Sequence, residues 1–198
     1  MVANKTLKRI RGRGTGSVWS PKDFLDLGSR AAVDQALSRM ARRGVLRRVA
    51  RGLYEYPRVS PRLGVLSPDA HAVARAFAGR SGARLQPTGA LAANALGLSA
   101  QVPARPAFLT DGPTRRLRIG NQTIYLRHAA PSRLRWGAVV HALAYLGQRG
   151  VTDSVLRQLR QLRQRLAAAD RRTLLGDVRL APDWMRPILD QLGPGASA

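Results

Sequence analysis

Residues 19–57 read WSPKDFLDLGSRAAVDQALSRMARRGVLRRVARGLYEYP and combine two helix starts with a hairpin signal. The stretch Ser20-Pro21-Lys22-Asp23 is a capping box with proline at the first helical position, which predicts a short helix over 21–27. Ser29 is a typical N-cap for a second, longer helix over 30–43. Two helices joined by a short, glycine-containing turn are typical of a helix-turn-helix.

A hairpin signal follows the second helix directly. The β-prone runs 45–49 and 53–57 flank the tight turn Ala50-Arg51-Gly52. A basic helix over 4–11 and a short strand over 17–19 precede the helix pair. Residues 1–57 therefore predict a winged helix-turn-helix, in which the hairpin is the wing.

The second helix of the pair has one apolar face and one polar face. At 100° per residue, Val33, Ala36, Leu37 and Met40 share the inner face, and the opposite face is small, polar and basic. Such a face suits a helix lying in the major groove of DNA, although an ordinary solvated helix surface has the same character. The predicted DNA-binding residues on this helix and on the wing are Ser29, Arg30, Ala31, Gln35, Ser38, Arg39, Arg42, Arg47, Arg48 and Arg51.

Charge supports a polyanionic partner. The chain has 34 Lys+Arg against 11 Asp+Glu, a formal net charge of +23, and only three of the basic residues are lysine. A GC-rich coding bias explains arginine in place of lysine, but it does not explain the excess of base over acid. Phosphate contacts supply most of the binding energy for nucleic acid, so double-stranded DNA is the expected partner. An anionic membrane surface is the competing polyanion.

The rest of the chain predicts an α+β region, which makes the whole chain α+β. Residues 58–66 contain proline and glycine and predict a linker, so the expected domains are 1–57 and 67–198. Strands are expected at 83–86, 107–110, 116–119 and 123–128, and helices at 68–78, 89–96, 134–146, 155–169 and 183–192. The helix over 155–169 carries a basic stripe whose role stays open, formed by Arg157, Arg160, Arg163 and Arg165, with Arg171 and Arg172 beyond it.

Residues for catalysis or metal binding are scarce. The chain has no cysteine and one glutamate, Glu55, and its histidines, His71, His128 and His141, stand apart from one another. Asp111-Gly112 is more typical of a turn than of a metal site. We therefore expect no enzyme activity, no catalytic residues, no metal and no cofactor. No secretory apolar segment or membrane-spanning run is visible, so the expected location is the cytoplasm without membrane association.

Several stretches resemble a known family. The run Trp19 to Met40, with the stretch from Gly44 through the ending Arg51-Gly52-Leu53-Tyr54-Glu55-Tyr56-Pro57, resembles the N-terminal domain of AbiEi-type antitoxins. The later stretches 86–89, 94–99 and 109–112 resemble the longer DUF6088-like branch. This resemblance implies a winged-helix autorepressor that binds the operator of its own operon. It also implies a C-terminal region that opposes a nucleotidyltransferase-like toxin, with or without direct contact.

Two other functions compete with a DNA-binding repressor and antitoxin. A basic protein could coat DNA or RNA without sequence preference, but aromatic residues make up only 5% of the chain and offer few stacking platforms. An enzyme of nucleic-acid metabolism would need clusters of catalytic residues that the sequence lacks. Reading two half-sites would require a homodimer on DNA, and the sequence does not determine the oligomeric state.

Overall fold

The computed structural model describes residues 1–148, 150, 152–165 and 181–190, and the chain is an α+β protein. These residues form two compact units. The first consists of Met1–Arg84 and Arg115–Leu126, and the second consists of Leu85–Thr114 and the described residues from Arg127 onward.

The first unit places three helices and a 3₁₀ helix around small antiparallel sheets. The helical segments are α1 (Val2–Arg13), the 3₁₀ helix (Pro21–Phe24), α2 (Arg30–Arg42) and α3 (Ala70–Ser81). The strands are β1 (Val18–Trp19), β2 (Arg47–Ala50), β3 (Leu53–Glu55), β4 (Val59–Ser60), β5 (Gly64–Val65), β8 (Arg115–Ile119) and the first part of β9 (Gln122–His128). The sheet order β1-β3-β2 puts β3 in the middle, antiparallel to both neighbours.

The core of the first unit lies between α1, α2 and the three-stranded sheet. Trp19 and Phe24 pack with their ring centroids 5.1 Å apart, and Ile10 and Phe24 are fully buried. The inner face of α2 follows the predicted periodicity, because its buried residues are Val33, Ala36, Leu37 and Met40. Burial of this stripe is what orients the opposite, polar face of α2 outward.

The first helix of the predicted pair is shorter and tighter than expected. The chain forms a 3₁₀ helix over Pro21–Phe24 instead of an α-helix over 21–27. The capping box is present, since the Ser20 backbone N–H donates to Asp23 Oδ2 at 2.7 Å. The next backbone bond, from Leu27 N–H to the Phe24 carbonyl at 2.9 Å, is again of the i→i+3 type.

The linker predicted at 58–66 and the domains predicted at 1–57 and 67–198 differ from the two compact units of the structure. Residues 58–66 contain the antiparallel pair β4–β5, in which Val59 lies opposite Val65. Helix α3 belongs to the first unit and contacts β1 and β3. The hairpin β8–β9, distant in sequence, also belongs to this unit and lies against β2. Proline and glycine in 58–66 mark tight turns of a short hairpin here, because both residues favour turns as well as linkers.

The second unit contains a helical core and a strand pair. Its elements are β6 (Leu85–Pro87), α4 (Gly89–Ala95), β7 (Ala107–Thr110), α5 (Pro131–Leu134), α6 (Ala138–Gly147), α7 (Asp153–Arg165), a 3₁₀ helix (Asp183–Met185) and α8 (Arg186–Asp190). Strands β6 and β7 are antiparallel, with Gln86 opposite Leu109. Buried side chains of α4, α6, α7 and α8 form one cluster, which includes Ala93, Leu143, Leu159 and Leu189.

Three helix predictions for the second unit need comment. The single helix expected over 134–146 is wrong at its start, because extended backbone at Gly137 separates α5 from α6. Residues 166–169, with Arg171 and Arg172 of the basic stripe, lie outside the described residues, as do 191–192. Arg157 and Arg160 are exposed on α7, while Leu159 faces the core.

Helix α6 buries a histidine. His141 is only 2% exposed, and burial together with the charge of Arg133 lowers its pKa from 6.5 to about 4. His141 is therefore protonated near pH 6.5 in the unfolded chain, but only near pH 4 in the folded chain. The stability that this group contributes is fully present above pH 6.5 and is lost as the pH falls towards 4.

We expect the free energy of unfolding to fall with acidification across this window. Urea titrations at several pH values check this, and His141→Asn should flatten the dependence by about one proton. Burial also lowers the pKa of His71, so this histidine acts in the same direction. It accounts for the pH dependence of stability that remains in the His141→Asn variant. An identical pH dependence in the variant and the parent chain would contradict the assignment to His141.

Candidate nucleic-acid interface

The outer face of α2 presents most of the predicted base-reading residues to solvent. The Ser29 hydroxyl caps the helix by accepting from the Ala32 backbone N–H at 3.3 Å. The exposed residues along this face are Ser29, Arg30, Ala31, Gln35, Arg39 and Arg42, and Ser38 is partly buried. The face therefore carries hydrogen-bond donors and acceptors without a bulky apolar side chain.

One predicted contact residue on α2 has a partner on its own helix. Arg30 Nε lies 2.9 Å from Asp34 Oδ2, one turn further along. Exposed pairs of this i,i+4 type stabilise a helix by only about 0.3–0.5 kcal/mol. Arg30 is therefore able to exchange the carboxylate for a phosphate at low cost.

The N-terminal helix is tied to the segment that precedes α2. Arg9 donates to Asp26 Oδ1 at 2.7 Å and to the Asp23 carbonyl at 2.9 Å. The hydrogen bond from Arg9 lowers the pKa of the Asp26 carboxyl and keeps that group charged. These contacts hold the segment that leads into α2. The helix is therefore held through its buried face and through the residues just before its N-terminus.

The β2–β3 hairpin carries two exposed arginines, one on β2 and one in its tight turn. Arg48 on β2 and Arg51 in the turn are both solvent-exposed. Gly52 adopts a φ of +67°, the left-handed backbone that glycine favours. Arg80 of α3 donates to the Arg51 carbonyl at 2.8 Å and so braces the turn. The turn therefore presents its cations on a supported backbone.

Arg47 has a different environment from the other two hairpin arginines. It lies opposite Glu55 in the β2–β3 register and donates to Glu55 Oε2 through Nε at 2.8 Å. Its Nη2 also donates to the Leu66 carbonyl at 2.7 Å. Glu55 is 0% exposed, so Arg47 is the cation that neutralises a fully buried carboxylate. The sequence predicts Arg47 to contact DNA, whereas these contacts give it a role inside the unit.

A second group of arginines in the first unit is absent from the sequence-based prediction. Strand β8 exposes Arg115, Arg116 and Arg118 and buries Leu117 and Ile119. The alternation R-R-L-R-I is the local signal for a strand with a basic outer face. No local sequence pattern predicts that β8 lies beside β2, because that contact joins residues far apart in sequence.

The described part of the chain contains no cluster of metal-ligating side chains and no long apolar helix. Within it, no three His, Asp or Glu residues are grouped so that they could hold a metal ion. Each helix found there is too short or too polar to cross a lipid bilayer. The feature that stands out in the first unit is the exposed basic surface of α2, the β2–β3 turn and β8.

Together these features describe an α+β protein with a basic, helix-bearing first unit. Residues 5–170 match the family of unknown function DUF6088, and the chain belongs to that family. No curated protein matches the chain. The crystal structure of the RV2827C protein from Mycobacterium tuberculosis is 20% identical, with a TM-score of 0.42, over 89% of this chain and 72% of that chain.

Proposed function

We propose that this protein is a sequence-specific double-stranded DNA-binding regulator whose first unit is a winged helix-turn-helix. The carrying observation is that α2 buries an apolar stripe and turns a polar, basic face outward. The order of elements supports it: α1, β1, the 3₁₀ helix, α2 and a hairpin whose strand β3 pairs with β1. In this proposal α2 lies in the major groove and the β2–β3 hairpin is the wing.

The two kinds of surface have different tasks in this proposal. Gln35, Ser38 and Arg42 of α2 read base edges, for which glutamine and arginine have suitable bidentate geometry. Arg48 and Arg51 of the wing contact phosphates, which position the protein without reading sequence. Arg116 and Arg118 of β8 lie in the same unit and extend its basic surface.

The wing arginines should contribute to affinity for any DNA. We expect the double variant Arg48→Ala with Arg51→Ala to weaken specific and random duplexes by the same factor. The slope of log affinity against log salt should become shallower by about 0.9 for each phosphate that the variant no longer touches. Fluorescence anisotropy over a salt series measures this, with Arg186→Ala as a control for the removal of a charge from the second unit. An unchanged slope would exclude the wing from the DNA interface.

A non-specific nucleic-acid coating protein is the second candidate, favoured by the net charge of +23 alone. That protein would show similar affinity for the operator and for random DNA. It would also depend on total charge and not on the identity of residues on α2. The comparison of matched duplexes therefore separates the two functions.

We further propose that the regulator is the antitoxin of a toxin–antitoxin pair with a nucleotidyltransferase-like toxin, acting in the cytoplasm. This role rests on the resemblance of residues 19–57 to AbiEi-type antitoxins, and DUF6088 membership by itself assigns no activity. Co-expression with the product of the neighbouring gene tests it: growth rescue by the full chain supports the role. Absence of toxicity from that product, or rescue failure, contradicts it.

A further inference from the structure

The second unit contains a cavity of about 490 Å³ that the DNA-binding proposal does not use. Its lining comes from sequence-distant segments, with Thr88 before α4, Arg105 before β7, Arg127 at the end of β9 and Arg133 on α5. His141 and Tyr145 of α6 complete one wall. The volume is in the range of pockets that hold small-molecule ligands.

The charge of this lining is one-sided. It includes three arginines, Arg105, Arg127 and Arg133, and no aspartate or glutamate among its described residues. The three arginines are exposed, so their guanidinium groups can meet a ligand in the cavity. Arginine binds phosphate oxygens through paired N–H donors, which makes a phosphate group the natural counter-charge.

His141 adds a buried polar atom without a partner. The side chain is 2% exposed, and its Nε2 makes no hydrogen bond with the described residues. A hydrogen bond to the backbone of Arg133 acts on the same ring, so the other nitrogen, Nδ1, makes that bond. A backbone carbonyl accepts from N–H, which leaves Nε2 of the neutral ring as an acceptor.

An unpartnered buried acceptor costs stability unless a ligand or water supplies a donor. Nε2 is enclosed in the unliganded chain, so a hydroxyl or amino group on the ligand satisfies it only when the imidazole shifts towards the cavity. The cavity wall also includes Leu109 and Tyr145, and apolar and aromatic side chains of this kind suit a flat or weakly polar ring. The lining therefore favours a molecule that combines an anion, a hydrogen-bond donor and a ring.

We propose that this cavity binds a nucleotide, a small phosphate ester whose phosphate meets Arg127 and Arg133 and whose donor group meets His141 Nε2. A free nucleotide suits it better than a nucleic-acid strand. The donor must reach an imidazole that is nearly inaccessible to solvent, and the phosphates of a duplex lie on its outer surface.

Calorimetric titration of the full chain tests this proposal. The probes are the four common ribonucleoside 5′-monophosphates, the matching nucleosides, inorganic phosphate and a short DNA duplex. At least one monophosphate should bind about tenfold or more tightly than its nucleoside, since charge-assisted hydrogen bonds are the strong ones. It should exceed inorganic phosphate by a similar factor, because only the nucleotide also brings the donor group and the ring.

Variants then locate the site. Arg127→Ala and Arg133→Ala should each weaken the monophosphate about tenfold or more, while Arg135→Ala, an exposed neighbour outside the lining, should stay within about twofold. His141→Asn removes Nε2 and should weaken the monophosphate without changing inorganic phosphate. The replaced residues Arg127, Arg133 and Arg135 are all exposed, so their replacement leaves the fold intact.

Three results would overturn the nucleotide assignment. The first is that no monophosphate binds better than inorganic phosphate. The second is that Arg127→Ala and Arg133→Ala bind like the Arg135→Ala control. The third is that the duplex displaces the monophosphate, which would make the cavity part of a nucleic-acid surface.

Discussion

Replacing Arg47 by alanine is expected to destabilise the protein by about 3–5 kcal/mol, the usual cost of leaving a buried charge unpaired. Glu55 is 0% exposed on the central strand β3, and Arg47 donates to it at 2.8 Å. The variant loses this donor and also the bond from Arg47 to the Leu66 carbonyl. Urea denaturation of the parent chain and the variant measures the difference.

Two companion variants separate charge from packing in this prediction. Glu55→Gln keeps the shape and removes the buried charge, and Arg47 is 31% exposed and can hydrate, so the loss of stability should be smaller. The double variant Arg47→Leu with Glu55→Leu should regain much of the stability lost in Arg47→Ala. A destabilisation below about 1 kcal/mol in Arg47→Ala would show that Glu55 does not depend on this partner.

Replacing Gln35 or Arg42 by alanine is expected to weaken binding to the specific operator much more than binding to random DNA. Both side chains are exposed on the outer face of α2. A good base contact is worth about 1–3 kcal/mol, so each variant should bind the operator roughly 5- to 150-fold more weakly. Anisotropy titrations with operator and random duplexes at one salt concentration measure both affinities.

The random duplex is the internal control for this prediction. Gln35→Ala should leave its affinity unchanged, and Arg42→Ala should reduce it only by the share that one positive charge contributes. Arg186→Ala, which removes a charge from α8 in the second unit, should behave like the parent chain on the operator. Equal losses of affinity for both duplexes would show that α2 touches only the DNA backbone.

Local signals predict the elements of the first unit well. The cap at Ser20 locates the start of the 3₁₀ helix, and the cap at Ser29 with the spacing of Val33, Leu37 and Met40 locates α2 and its buried face. Turn residues at Gly52 and Gly120 mark the β2–β3 and β8–β9 hairpins, because positive φ is cheap only for glycine. These features depend on neighbours within a few residues, which is why the sequence shows them.

Local sequence signals do not predict long-range contacts. The pairing of Arg47 with Glu55 depends on β2–β3 register and on burial, and the sequence shows only an arginine in a basic run. The β8–β9 hairpin and α3 join the first unit through contacts that no local pattern encodes. The arginine-lined cavity is built from segments between Thr88 and Gln148, so no single motif predicts it.

Selection of binding sites from a random duplex library tests the central claim most directly. The full chain should enrich one motif, and the enriched duplex should bind about 10³-fold or more tightly than random DNA at physiological salt. If the protein binds as a homodimer, the motif should contain two half-sites about 10–10.5 base pairs apart. No enriched motif, with equal affinity for all duplexes, would contradict sequence-specific recognition by α2.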